Sequence, residues 1–210
     1  MTSAAAIFSL ALGFGACLAA FQLVNALLLR PLPITEPDRL YALSRREFPG
    51  SSVPIVHDNW QYPLLRDMRD AVADQAALIA ISESERVEIA FRSDREMERV
   101  RVQYVSGNTF GSFGLPAAAG RLLSQRDDLK PGTHPVAVLS YDYWSRRFAQ
   151  APDIIGRTFR MTNNLTGTRI YQIVGVVGDG FTGTEPGNVV DIFLPSMMHW
   201  GISFPEWSLF

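Results

Sequence analysis

His57-Asp58, with Ser140 further along the chain, supply the residue types of a hydrolytic triad: a base, a carboxylate to orient it and a nucleophile. No nucleophile elbow surrounds Ser140, which stands just before Tyr141-Asp142-Tyr143-Trp144, where a serine caps a helix. His57, His134 and His199 lie far apart with no partner at ligand spacing, so no metal site is expected. A P-loop needs a lysine behind its glycines. The single lysine, Lys130, sits in Asp127-Asp128-Leu129-Lys130-Pro131-Gly132 and cannot take that role. Residues 175–183 (GVVGDGFTG) are glycine-rich, but no helical pattern follows to offer an N-terminus to a phosphate, so they read as strand and turn. Arg146-Arg147 could contact a partner; the plainer alternative is a solvated helix face. The expectation is a chain that is not an enzyme, with no catalytic residue, no cofactor and no metal.

What would position such residues begins at the N-terminus. Residues 4–29 contain no Asp, Glu, Lys or Arg. A helix crosses the hydrocarbon core in roughly 20 residues, so this run is long enough to span. A cleaved secretory signal would need a basic segment before a shorter apolar stretch, and Met1-Thr2-Ser3 carries no charge. Cys17 follows Gly15-Ala16 as in a lipoprotein signal, but the uncharged run continues beyond it. A retained transmembrane helix is therefore expected, with a cleaved signal or a buried soluble helix as the alternatives. Ala5, Ser9, Gly13 and Cys17 recur every four residues, and Gly15/Ala19 and Ala16/Ala20 repeat the spacing, as in helices that pack closely in lipid. Gln22 and Asn25 share a face near the far end, where polar side chains meet protein or the water interface. Arg30, Arg39, Arg45 and Arg46 all follow the helix; counted literally they would hold the remainder in the cytoplasm, but folded domains translocate largely regardless of charge.

About 180 residues follow, enough for one sizeable domain or two small ones. The net charge of −2 gives no footprint for nucleic acid. The one cysteine lies in the apolar run, which leaves the domain without a disulfide. Pro31, Pro33 and Pro37 stiffen the exit from the helix. Residues 40–43 and 78–81 read as short strands, Pro63 with Leu64, Leu65, Met68 and Val72 as a helix, and Val87/Ile89/Phe91 and Val100/Val102/Tyr104 as half-buried strands joined by a turn at 92–95. Asn108-Thr109-Phe110 starts a short helix that ends at Gly114 and Pro116. Residues 135–139 form an apolar strand, and Ser140 caps the helix carrying Tyr143, Trp144, Arg147 and Phe148. Residues 158–161 and 169–177 pair as a hairpin about Asn163-Asn164, and 192–194 form a last strand. Mixed hairpins and strand–helix crossovers make the fold class α+β.

The ordered motifs resemble the first transmembrane helix and periplasmic core domain of MacB-like ABC transporter permeases, the macrolide-exporter and FtsX-related group. The likeness is nearest to the large duplicated orphan permeases of acidobacteria and related soil bacteria. It is carried by 11–16 (ALGFGA), 24–33 (VNALLLRPLP), 36–40 (EPDRL), 105–110 (VSGNTF), 114–116 (GLP), Gly120-Arg121, 135–148 (PVAVLSYDYWSRRF), 155–157 (IGR), 173–177 (IVGVV), Gly180-Phe181 and 191–195 (DIFLP). The family's basic segment before the first helix is missing, and Cys17 stands where a polar residue is expected.

The resemblance implies a transmembrane helix over 1–30 and a periplasmic core domain over 31–210, single-pass in the inner membrane with the domain outside the cytoplasm. It implies an export permease that binds no ATP and transmits motion from a separate ABC ATPase subunit. Its other partners would be the remaining permease helices, a second permease copy in a dimer, the lipid bilayer and a periplasmic adaptor. The family carries three further helices beyond this point, so the chain is expected to be a fragment or a truncated gene product. The rival reading is a single-span anchored periplasmic binding domain or hydrolase unrelated to transport; a third is a secreted domain released by signal cleavage.

Overall fold

Alternation of apolar and polar side chains builds most of the folded part of this protein. The computed structural model describes residues 2–25, 32–48, 54–57, 60, 62–91, 96–163 and 167–199. They divide into two units, Met1–Leu32 and Pro33–Phe210.

In the first unit, helix α1 runs Thr2–Val24 with no acidic residue in its first turn and no basic one in its last. Ile7, Phe8, Leu10, Leu12, Phe14, Leu18 and Phe21 are exposed along it. A Cβ added at Gly13 or Gly15 would meet nothing within 4 Å. Among the described residues no helix is long and apolar enough to cross a membrane. The helical backbone of α1 covers 23 residues.

In the second unit, β3 (Glu85–Ala90) pairs antiparallel with β4 (Met97–Val105), with Val87 opposite Val100. The hairpin of β7 (Thr158–Asn163) and β8 (Gly167–Val177) joins them because β7 pairs with β3 as well as with β8. On the other side β9 (Ile192–Pro195) lies parallel to β4 and antiparallel to β6 (Val136–Leu139), which runs parallel to β8. The pairings β7-β3-β4-β9-β6-β8-β7 close a ring, so those six strands form a small barrel with no free edge among themselves. Its inward residues are those of the period-two pattern: Val87 and Ile89, Val100, Val102 and Tyr104, Leu139, Phe159 and Met161, Tyr171 and Ile173, Ile192 and Leu194. Each such side chain contributes roughly 1.5–3 kcal/mol on burial.

Strand β5 (Ala117–Gly120) pairs antiparallel with the far end of β8. There β8 bulges: Ala137 pairs with Ile173 but Val138 with Gly175, which skips Val174. The Val174 carbonyl accepts from the Arg121 amide at 2.9 Å. A Cβ on Gly175 would lie 1.9 Å from the Arg121 carbonyl oxygen, so the close approach of the two backbones requires glycine.

A second apolar layer covers the outward side chains of β6 and β9, Val138 and Phe193. It contains Phe110 of α3 (Thr109–Ser112), Phe113 and Phe181; the Phe110 and Phe181 rings each stand 5.5 Å from Phe193. Helix α4 (Tyr141–Phe148) starts where the Ser140 side chain accepts from the Tyr143 amide, and adds Tyr143 and Trp144 to the barrel core. Helix α2 (Tyr62–Ala71) buries Leu65 with Ala80 and Met197.

The mixed α+β reading holds, as do the strands at 87–89 and 100–104, the helices at Pro63, Thr109 and Tyr141, and the 158–177 hairpin. The ends differ. Residues 40–43 form no strand; the pairing goes to β1 (Arg45–Glu47) and β2 (Ile55–His57) beyond them, an antiparallel ribbon with little burial. Residues 78–81 contribute only an isolated bridge, Ile81 to Val105. The turn expected at 92–95 lies outside the described residues, as do residues 200–210.

Candidate functional site

The fold does not assemble the triad types noted in the sequence. Ser140 is fully buried at its helix cap, and its amide donates to Asp191 O at 2.9 Å. Nε2 of His57 lies 3.2 Å from a Glu47 carboxylate oxygen in the β1–β2 ribbon, and Asp58 is outside the described residues. Nδ1 of His134 lies 2.7 Å from the Thr133 hydroxyl, and His199 sets its ring edge-on to Tyr104 at 4.8 Å. Among the described residues no group of three His, Cys, Asp or Glu could hold a metal ion. Residues 175–183 are strand end and turn, as expected.

Two acidic residues of the 125–128 turn hold loops together. Asp127 accepts from both terminal nitrogens of Arg121 at 2.7 Å and from the Ser124 amide and hydroxyl at 2.9 Å. Burial pushes the Asp127 carboxyl up, but these hydrogen bonds and the Arg121 charge outweigh it and hold the group below its ordinary range. Asp128 accepts from the amides of Gly107 and Met197 and from the Ser196 hydroxyl. Burial raises this second carboxyl despite those donors and the nearby Arg69 charge.

The barrel core holds its own polar cluster. Burial raises the Glu85 carboxyl, opposed by a hydrogen bond from Tyr104. Burial, with the Tyr171 and Glu85 charges behind it, also raises Tyr104. The Tyr171 hydroxyl is buried with no hydrogen-bond partner among the described residues, and burial pushes it up to about 12. Burial drives His199 the other way, down to about 4, because the charged imidazolium is the form that loses hydration.

The outer face of the same strands carries an open cleft of about 440 Å³, within the range of small-ligand sites. Its lining includes Arg86, Arg99, Arg101, Arg146 and Asp191. The sheet register creates this cluster. Val87 and Val100 point into the barrel, so their neighbours point out, and Arg86 stands directly opposite Arg101 across the β3–β4 pair. Like charges so placed oppose each other by up to about 1 kcal/mol.

The neighbouring acids are largely committed. Asp191 accepts from Arg146 at 2.8 Å through Oδ1 and from the Arg101 amide at 2.9 Å through Oδ2. Glu88 sits 3.4 Å from Arg99. Glu185 receives the Ser84 amide and hydroxyl and the Asn188 side chain, and the Ser84 hydroxyl accepts from Arg101 Nη1 at 3.1 Å. Arg86 is in no ion pair among the described residues. Of the two arginines noted on α4, only Arg146 faces this cleft; Arg147 pairs with Glu98 at 3.0 Å and lies over the Phe91 and Phe148 rings. Alternation alone could have shown that 86, 99 and 101 face outward; their convergence needed the register.

Comparison with known proteins bears on the whole chain. No curated protein matches it. Among solved structures, three similar ones are as follows. The periplasmic region of MacB from Actinobacillus actinomycetemcomitans is 17% identical over 62% of this chain and 54% of that one, with a TM-score of 0.44. The extracellular domain of the noncanonic ABC-type transporter YknZ from Gram-positive bacteria is 12% identical over 65% and 63%, at 0.47. A domain of a putative permease protein from Porphyromonas gingivalis is 17% identical over 60% and 50%, at 0.40. The chain thus spans half to just under two thirds of each of these structures. The model of the MacB-like periplasmic core domain matches residues 3–208, beginning inside α1. On that match, the chain belongs to the MacB-like periplasmic core domain family of ABC transporter permeases.

Proposed function

We propose that the chain supplies the first transmembrane helix and the extracytoplasmic core domain of an ABC-type export permease. The observation that carries this is the family match, which takes in α1 together with the barrel rather than the barrel alone. In this reading α1 spans the inner membrane once, and its exposed apolar side chains meet lipid while the open positions at Gly13 and Gly15 admit neighbouring helices. A separate ATPase subunit drives the motion, a second permease copy and a periplasmic adaptor complete the assembly, and the barrel receives the motion without catalysing a reaction. A ring of six paired strands suits that role, because a closed sheet moves as one body and has no unpaired strand to yield.

Labelling with a membrane-impermeant maleimide tests the arrangement. The native Cys17 is expected to resist the reagent in intact cells. In a Cys17→Ser background, a cysteine at the exposed Lys130 is expected to react from outside. Reaction at position 130 only after lysis would put the domain in the cytoplasm and end the proposal. Monodisperse monomers in detergent that retain no ATPase would count against the coupling.

A further inference from the structure

We infer that the arginine cleft on the outer face of β3 and β4 binds a small polyvalent oxyanion, one carrying two adjacent phosphate or carboxylate groups. The inference rests on the cleft alone and not on the transport reading.

Four guanidinium groups and one carboxylate line about 440 Å³. The carboxylate, Asp191, is spent on Arg146 and on the Arg101 amide, and its side chain is only 13% exposed. An incoming anion therefore meets little competition from it. Arg86 and Arg101 are register partners, and Arg99 lies diagonally across from Arg86 on the same face. Two anionic groups at cross-strand spacing, about 5 Å, would each meet a guanidinium and relieve the repulsion between them. The positions are fixed from below. Val87 and Val100 anchor the strands in the core, and the Arg101 side chain is held by Ser84, itself held by Glu185. The Glu185–Asn188 hydrogen bond at 2.7 Å shapes the facing loop, where Gly187 and Asn188 complete the lining. Arginine forks suit oxyanion recognition because they offer paired N–H donors in one plane. The cleft is open and polar, which favours a hydrated small anion over an apolar ligand.

Isothermal titration of the full chain in a neutral detergent, at low salt and pH 7, tests this with pyrophosphate and citrate as probes. Pyrophosphate, citrate or both are expected to bind with a Kd below about 1 mM. Arg86→Gln is expected to weaken that binding about tenfold, the scale of one lost charge-assisted contact. In the absence of ligand the same variant is expected to melt about 1–2 °C higher, because it removes a like charge that faces Arg101 directly and Arg99 diagonally. Arg126→Gln, which removes an equal charge at an exposed position outside the cleft, is expected to leave the affinity unchanged. No heat with either probe overturns the inference. So does equal weakening by Arg86→Gln and Arg126→Gln, which would make the effect one of net charge. An Arg86→Gln protein that melts lower and binds as before would assign Arg86 a structural role and likewise overturn it.

Discussion

Acidification should withdraw stability at His199, and the size of that contribution follows from its surroundings. The imidazole lies against Tyr104 with ring centroids 4.8 Å apart at 84°. Burial lowers its pKa from 6.5 to about 4. A histidine depressed in the folded state contributes stability that is complete above the unfolded pKa and is lost as pH falls toward the folded one. The window is therefore pH 6.5 to 4, and each pH unit inside it costs about 1.4 kcal/mol, or about 2 kcal/mol by pH 5 and about 3 kcal/mol in all. Glu85 and Asp128 act in the opposite sense, since burial raises both carboxyls and folding then favours their protonated forms. The wild-type profile is the sum. His199→Phe isolates the histidine, because the ring size and the edge-on contact are kept while the proton is removed. Denaturant unfolding of the two full-length proteins at pH 7, 6 and 5 should show the variant gaining about 2 kcal/mol on the wild type between the extremes, whatever their offset at pH 7. Parallel profiles would refute the argument and show that His199 is hydrated when folded.

Three further perturbations test the loops around the barrel. Asp127→Asn removes the charge that Arg121 grips at two points and should cost about 2 kcal/mol in denaturant unfolding. It should also flatten the acid limb below about pH 4, because a depressed carboxyl stabilises above its unfolded pKa and loses that contribution as it protonates. Asp128→Ala strands the Gly107 and Met197 amides and the Ser196 hydroxyl and should cost about 3 kcal/mol by the same measurement, more than Asp128→Asn, which keeps one acceptor. Gly175→Ala drives a Cβ into the Arg121 carbonyl and should cost about 2–3 kcal/mol while speeding hydrogen exchange at the Arg121 amide; a stable variant with that amide still protected would remove the close-approach account.

Period-two patterning made the barrel strands legible one by one. Val87/Ile89 and Val100/Val102/Tyr104 announce which side is buried, and the apolar run at 136–139 fits a strand covered on both faces, by the barrel interior and by Phe193 with Phe110. Ser140 was legible as a cap because its residue type and its place before an amphipathic stretch agree. The strand at Ala117–Gly120 was not, because three alanines and a glycine carry no alternation; its identity comes from pairing with β8 past the bulge. The 40–43 segment failed for the converse reason. It has the composition of a strand but no neighbour to pair with, and the ribbon formed instead at Arg45–Glu47, where Ile55–His57 lies alongside.

Closure of the sheet and assembly of the cleft share one cause that no local pattern reveals. Alternation fixes the face on which a residue emerges, but not the residue across from it. Sliding β4 by two positions against β3 would leave every valine inside, yet would set Arg86 opposite Arg99 or Gln103 instead of Arg101. On its other side β4 is tied to β9. Asp191 bonds to Arg101 through both its backbone amide and its side chain, and β9 then runs parallel from Val102 opposite Ile192. The residue that ties β4 to β9 beside the cleft is thus the one that pairs with Arg146, so one carboxylate serves both the strand pairing and the charge there. Replacing Asp191 would confound the two, and for that reason Arg86, which has no such structural duty among the described residues, is the position from which the cleft's chemistry can be read alone.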